Sequence, residues 1–152
     1  MATSLQPITH GYVLRSDPAH ALATYTTQIG RWWDPRYTAN PDTLESVTIE
    51  PWVGGRVYAT HSDLGQHDWG RVTIWEPGRR VTHTLTLAQD PDDPSEVAAL
   101  SAPGEQGAGC AFRLEHGGWR RSNVSARQRF GDRPVLLERF LSLADGELGA
   151  GG

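Results

Sequence analysis

The sequence has little cysteine, no lysine and no long apolar run. Cys110 is the one cysteine in 152 residues, so no intrachain disulfide forms, and we expect the chain in the reducing cytoplasm. No stretch approaches the ~18 consecutive apolar residues that a membrane-spanning helix needs, so we expect no membrane span. Residues 1–7 lack a basic cluster followed by an apolar run, and we therefore expect no signal peptide.

An excess of positive charge is missing as well. The 14 basic residues are all arginine and stand against 18 acidic residues, which gives a formal net charge of -4. The arginine pairs at 79–80 and 120–121 are isolated and form no basic stripe. The sequence therefore offers no electrostatic reason to expect a nucleic acid partner.

Common catalytic and cofactor motifs are absent. The sequence has no Gly-x-Ser-x-Gly elbow and neither of the glycine-rich nucleotide-binding loops. A metal site needs about three converging ligands. His61, Asp63, His67 and Asp68 are close in sequence, but they bracket a predicted turn and we expect them to be solvated. We predict no metal, no cofactor and no catalytic residue set.

The composition that remains fits one domain. Hydrophobic residues make up 38% of the chain and charged residues 21%, as in ordinary globular proteins. A chain of this length buries roughly two-thirds of its unfolded surface. We expect a single domain over residues 1–152, with its core at about 8–145 and a frayed glycine-rich tail at 146–152.

Hydrophobic periodicity predicts a strand, two short helices, six more strands and a terminal helix. The predicted strands are 8–15, 46–51, 56–61, 68–76, 80–87, 95–101 and 110–116. The predicted helices are 18–27, a second short helix or turn at Trp32-Trp33, and 134–144. We expect Gly30 to end the first helical segment. The strand 80–87 alternates most cleanly, with Val81, His83, Leu85 and Leu87 on one face, which indicates a sheet with one dry face.

The terminal helix is the predicted element best suited to cover that dry face. Leu136, Phe140 and Leu143 form one apolar stripe along it. The predicted fold class is therefore α+β: a curved antiparallel sheet of about six or seven strands wrapped around a long C-terminal helix, with two short helices after the first strand.

Four motifs occur in an order that resembles a known superfamily. They are WWDP at 32–35, VTIEPWVGGR at 47–56, WGRV followed by WEP within 69–77, and LEHGGW at 114–119. Together they resemble the SRPBCC, or START-like, superfamily. Within it they are most similar to bacterial homologues of the activator of the ninety-kilodalton heat-shock-protein ATPase.

This resemblance implies a helix-grip fold with a hydrophobic cavity for lipids, polyketides or other apolar small molecules. The wider superfamily includes lipid-transfer domains and polyketide aromatase/cyclases, so the fold does not settle the function. Two departures are visible. The strand 95–101 is rich in alanine, and residues 131–134 read GDRP where the family often has glycine-tryptophan before the last helix.

Two histidines are the most interesting titratable residues. His83 and His116 are in phase with the apolar faces of their strands, so we expect both to point inward. A neutral imidazole there orients a polar ligand or acts as a general acid or base near neutral pH. The alternative is a structural histidine bonded to backbone or to a tryptophan indole.

Aromatic side chains supply the other cavity candidates. Tryptophans stack on ring-shaped ligands or simply fill a core. Arg56 and Tyr58 share one face of their strand, which is either an inward anchor or an exposed face. The candidate ligand-binding residues are Trp33, Tyr58, Trp69, Trp75, His83, Leu85, Phe112, Leu114, His116, Leu136 and Phe140.

The leading functional hypothesis is binding of a hydrophobic small molecule between the sheet and the C-terminal helix. One alternative is a polyketide cyclase-like enzyme that uses His83 or His116 as acid or base. A second alternative, implied by the family resemblance alone, is a co-regulator of a chaperone ATPase. A homodimer is also possible.

Overall fold

The computed structural model describes residues 5–38, 40–86, 92–104, 107–125, 127 and 137–144. The strands are β1 (Ile8–Leu14), β2 (Leu44–Ile49), β3 (Arg56–His61), β4 (Gly65–Glu76), β5 (Arg80–Leu85), β6 (Ser95–Pro103) and β7 (Cys110–Gly117). The helices are α1 (Pro18–Thr26), α2 (Ile29–Trp32), a 3-10 helix (Pro35–Tyr37) and α3, of which residues 137–144 are described.

The seven strands form one antiparallel sheet. Its order is β1-β7-β6-β5-β4-β3-β2, so six strands follow one another as hairpins and β1 adds to the far side of β7. Leu137, Phe140 and Ala144 of α3 are buried in the same cluster as the inner side chains of the sheet. The predicted α+β class, the seven strands and the terminal helix are confirmed. Leu87 and Leu136, which the sequence places on the inner face, lie outside the described residues.

Helix α1 starts as its sequence predicts. The Asp17 side chain accepts a hydrogen bond from the His20 amide at 2.7 Å, and Pro18 occupies the first turn. Gly30 does not break a helix; it lies inside α2, and that prediction is wrong. A Cβ at Gly30 would lie 3.1 Å from the Val47 carbonyl oxygen, so this glycine permits α2 to approach β2 closely.

Strand β4 departs from simple alternation. Its pairing shifts register once against β3, opposite Val57 and Tyr58, and once against β5, between Val72 and Ile74. Each bulge inserts one extra residue and changes the side that later residues face. As a result Trp69, Val72 and Trp75, spaced by three, all pack toward the core.

Simple alternation along β4 would place Trp69, Arg71, Thr73 and Trp75 on one face. It does not hold, because Arg71 and Thr73 are exposed while Trp69 and Val72 are buried. The strand also begins at Gly65, three residues before the predicted start at Asp68. Alternation predicts the faces of β3, β5, β6 and β7, because the extra residue of each bulge lies in β4.

Candidate functional site

The candidate site is an apolar pocket on the concave side of the sheet, here called the inner pocket. Its walls come from α1 and α2, from the centre of the sheet and from α3. The lining residues are Tyr25, Ile29, Trp32, Trp33, Val57, Trp69, His83, Leu85, Val97, Leu114 and Leu137. The room between them is about 10 Å³, close to the space of one water molecule. The described side chains therefore pack closely around this point.

A buried tyrosine-histidine pair supplies the polar chemistry of the inner pocket. The Tyr25 hydroxyl lies 3.1 Å from His83 Nε2, and His83 Nδ1 lies 2.8 Å from the Thr84 carbonyl oxygen. A carbonyl oxygen only accepts, so Nδ1 carries the proton in that bond. His83 Nε2 is then the acceptor in the neutral ring, and Tyr25 donates to it.

Both members of this pair are held by the main elements of the fold. Tyr25 is 3% exposed on α1, and His83 is 4% exposed on β5. Their rings are 6.3 Å apart and nearly parallel. Sequence reasoning found His83 and missed Tyr25. The signal was present, because Tyr25 lies three residues after the core position Leu22 on a helix.

Indole rings form one wall of the inner pocket. The Trp33 and Trp69 ring centroids are 4.9 Å apart, and Trp32 packs against Trp33 at 5.6 Å. The Trp32 indole N–H donates to the Thr24 carbonyl at 2.9 Å, which marks Trp32 as a fixed part of the core. The Trp69 indole N–H donates to His67 Nδ1 at 3.3 Å. The predicted candidates Trp33 and Trp69 thus lie beside His83.

His116 points inward as predicted but does not line the inner pocket. It is 1% exposed, and its Nε2 lies 2.6 Å from the Ser95 hydroxyl. The Trp119 ring packs on it at 4.6 Å, and the Trp119 indole N–H donates to the His116 carbonyl. These contacts hold β6, β7 and the segment after β7 together, so they fit the structural alternative for His116.

The other candidates divide into three groups. Leu85 and Leu114 line the inner pocket, whereas Phe112 and Phe140 pack in the core with their ring centroids 4.7 Å apart and do not line it. Trp75 lies in a different pocket, beside α1. Leu136 falls outside the described residues.

Tyr58 lies on the outer face of the sheet, where the Arg56 guanidinium covers its ring at 4.4 Å. Arg56 is also paired with the carboxylate of Asp68. The neighbours Val57 and Ala59 are buried on the opposite face. The placement of Tyr58 in a cavity is therefore wrong, because strand alternation puts it outside.

His61 differs from its sequence expectation. It is 1% exposed at the end of β3 rather than solvated, and its Nδ1 lies 3.2 Å from the Thr43 hydroxyl. Its Nε2 is buried, and none of the described residues forms a hydrogen bond with it. Among the described residues no three His, Cys, Asp or Glu side chains are grouped to hold a metal ion. Over that same part of the chain, no helix is long and apolar enough to cross a membrane.

Asp34 of the WWDP motif joins the helices that border the inner pocket. Its carboxylate accepts hydrogen bonds from the Arg36 side chain and amide, and it lies 3.9 Å from the Arg139 guanidinium of α3. The Arg36 hydrogen bonds lower the pKa of Asp34 below its usual value. Asp34 therefore stays ionised and connects the end of α2 to the terminal helix.

Known structures share this fold over nearly the whole chain. A protein from Mesorhizobium loti is 21% identical, with a TM-score of 0.66 and coverage of 95% of this chain and 98% of the other. An anthrahydroquino-gamma-pyrone synthase is 23% identical, with a TM-score of 0.62 and coverage of 93% and 98%. The Aha1 dimer from Colwellia psychrerythraea is 16% identical, with a TM-score of 0.63 and coverage of 91% and 96%.

Comparison of the amino-acid sequence with known families and proteins finds no match. No family model matches the chain, and no curated protein matches it. Each of these structural neighbours is under 25% identical, so the likeness shows the fold and leaves the activity open. The fold implied by the four motifs is confirmed at that level: the chain has a curled antiparallel sheet with a terminal helix, consistent with the helix-grip fold.

Proposed function

We propose that the protein binds an apolar, ring-shaped small molecule in the inner pocket, with the Tyr25–His83 pair as its polar anchor. The observation that carries this proposal is the placement of a hydrogen-bonded tyrosine and histidine among apolar walls. Ligand pockets are typically apolar with a few convergent polar groups that fix orientation. Trp33 and Trp69 offer ring faces next to the pair.

Binding requires the inner pocket to widen, because its room is about that of one water. The wall formed by Leu137 belongs to α3, which the Asp34–Arg139 contact connects to the shorter helices. An outward shift of α3 makes room without breaking the hydrogen-bonded ladder of the sheet. The proposal therefore includes a ligand-bound form in which α3 lies farther from Leu85 and Leu114.

The test is a pair of probes that differ by one hydroxyl. Titration with 1-naphthol and with naphthalene is followed by tryptophan fluorescence in the parent protein and in Tyr25→Phe. A lost hydrogen bond of about 0.5–1.5 kcal/mol corresponds to roughly two- to tenfold weaker binding of 1-naphthol. Naphthalene affinity is expected to stay unchanged.

Tyr58→Phe is the matched control, because it removes a tyrosine hydroxyl from the outer face. Equal 1-naphthol affinity in the parent and in Tyr25→Phe would overturn the proposed anchor. Native mass spectrometry of protein purified from its own host then identifies a co-purified ligand by mass.

A cyclase-like activity is the second candidate, and one observation favours it. Thr84, His83 and Tyr25 form a chain of hydrogen bonds that ends on the Tyr25 oxygen. A proton taken from a ligand by that oxygen would be matched by transfer of the tyrosine proton to His83 Nε2. The imidazolium keeps its Nδ1–H on the Thr84 carbonyl.

One structural neighbour of the chain, named as an anthrahydroquino-gamma-pyrone synthase, also supports the enzymatic candidate. His83→Gln removes the base and retains a side chain that hydrogen bonds. Loss of product formation from a poly-β-carbonyl substrate, with His116→Gln still active, supports the acid-base role. Unchanged product profiles in both variants reject it.

The predicted homodimer stays a prediction. One structural neighbour is described as an Aha1 dimer. Light scattering of the purified chain after size exclusion distinguishes a mass equal to one chain from a mass equal to two. The co-regulator role is tested by adding the protein to a heat-shock ATPase, and an unchanged ATPase rate would exclude it.

A further inference from the structure

A second apolar pocket lies on the other side of α1 from the inner pocket. We call it the hairpin pocket, because its walls are α1 and the turn between β4 and β5. Ala19, Leu22 and Ala23 face Trp75, Gly78 and Val81 across it. Its room is about 230 Å³, compared with about 10 Å³ in the inner pocket.

We propose that the hairpin pocket binds a compact apolar molecule that carries one hydrogen-bond acceptor. The hairpin pocket is partly open to solvent, and its room of about 230 Å³ is enough for a single ring, since an enclosed apolar cavity of roughly 150 Å³ accepts benzene. The part of the pocket between α1 and the turn suits a single ring with a short substituent. The site is separate from the inner pocket and does not depend on its function.

Trp75 determines the polar contact. Its ring is partly buried and packs against the core beside α1. Within the described part of the chain, no protein group accepts a hydrogen bond from its indole N–H. Trp75 lines the hairpin pocket, and its indole N–H is not among the fully buried polar atoms without a partner, so it is open to water. We infer that an occupant with an acceptor takes the place of that water, because an unpaired donor is costly once water is displaced.

Ser101 fixes the width of the hairpin pocket. Its hydroxyl donates to the Pro18 carbonyl at 2.9 Å, which ties the start of α1 to β6. Its amide donates to the Arg79 carbonyl at 2.8 Å, which ties the end of the hairpin turn to the same strand. One residue, 6% exposed, therefore connects both walls.

The turn itself is also rigid. Gly78 adopts a left-handed conformation with φ of 77°, and the Arg79 amide donates to the Glu76 carbonyl across the turn. Arg80 and Glu76 form an ion pair at 3.0 Å beside it. Because these contacts hold both walls in the ligand-free structure, we expect binding there to require little ordering of the site.

Two fluorinated probes separate the apolar and the polar parts of this proposal. 4-Fluoroacetophenone has a ring and a carbonyl acceptor, whereas 4-fluorotoluene has the ring alone. The readout is the ¹H–¹⁵N correlation of the tryptophan indoles, with the Trp75 signal assigned by its loss in Trp75→Phe. We expect 4-fluoroacetophenone to shift the Trp75 signal in a saturable way.

Two variants test the site. Ala23→Leu fills the pocket from an exposed helix position, and we expect it to lower the affinity for both probes more than tenfold. Ala111→Leu on the outer face is the control and should leave both affinities unchanged. In Trp75→Phe, probe affinity is measured from the ¹⁹F linewidth. We expect the affinity for 4-fluoroacetophenone to fall about two- to tenfold and that for 4-fluorotoluene to fall less than twofold. Trp52→Phe is the matched control at an exposed tryptophan.

The outcomes are distinct. Absence of a saturable Trp75 shift, or equal affinity in Ala23→Leu and the parent, overturns the site. Equal weakening of the two probes in Trp75→Phe overturns the role of the indole donor. Tyr25→Phe is expected to change none of these results, so a failure of the inner pocket leaves this test intact.

Discussion

Gly70 and Thr84 are in backbone contact across β4 and β5. A Cβ at Gly70 would lie 1.9 Å from the Thr84 carbonyl oxygen, far inside any tolerated approach. The Arg71 amide next to it donates to the Thr84 hydroxyl at 2.9 Å, and the Thr86 amide donates to the Trp69 carbonyl. The glycine of the WGRV motif is required by the close passage of these strands at the bulge.

Gly70→Ala should lower the free energy of unfolding by about 1–3 kcal/mol or more, as expected when a tightly packed region is overfilled. Urea denaturation measures the loss. Gly11→Ala is the matched control, because a Cβ there meets nothing within 4 Å. Equal stability of the two variants would contradict the contact.

Phe140→Ala should lower the free energy of unfolding by about 3–5 kcal/mol. The ring is fully buried and packs on Trp32, Phe112 and Tyr25 at centroid distances of 5.5, 4.7 and 6.2 Å. Ser142→Ala on the exposed side of α3 should change stability by less than about 0.5 kcal/mol. A loss below about 1 kcal/mol at Phe140 would contradict its place in the core.

Ser95→Ala should lower the free energy of unfolding by about 1–3 kcal/mol, because it removes the buried hydroxyl that is hydrogen-bonded to His116 Nε2. The same variant should bind 1-naphthol as the parent does, since neither residue lines the inner pocket. Ser46→Ala at an exposed strand position is the control. A changed 1-naphthol affinity in Ser95→Ala would place His116 nearer the ligand than the structure does.

Asp34→Asn should destabilise the protein at pH 7 and progressively less in acid. The pKa of Asp34 is lowered in the folded state, mainly by the Arg36 side-chain hydrogen bond. Its ionised form therefore stabilises the fold above the usual aspartate pKa, and this contribution is lost as the pH falls through the lowered value. Denaturation of parent and variant at pH 7, 5 and 3 measures the difference, and a pH-independent gap would contradict the assignment.

Strand alternation predicts the unbroken parts of the sheet well. The bounds predicted for β3 are those observed, and His83, Leu85 and Leu114 lie on the inner face as expected. The faces of β4 could not be predicted in the same way. Alternation assumes an unbroken ladder, and two register shifts give Trp69, Val72 and Trp75 a spacing of three.

Side-chain partners are harder to predict than faces. Tyr25 and His83 are separated by 58 residues, and only the packing of α1 on the sheet brings them together. His61 resembles a solvated turn residue in sequence, yet the end of β3 is covered and buries it. In each case the deciding contact joins elements distant in sequence, which local patterns do not report.

The position of β1 has a consequence for biosynthesis. This strand pairs with β7, so Ile8 leaves the ribosome about a hundred residues before His116, the residue opposite it in the sheet. Such distant pairing slows folding, because the intervening chain loses entropy before the contact forms. Until β7 is made, β1 lacks the strand with which it pairs in the sheet. A nascent chain stalled before β7 should therefore be sensitive to proteases at residues 8–14 and should become resistant once β7 is available.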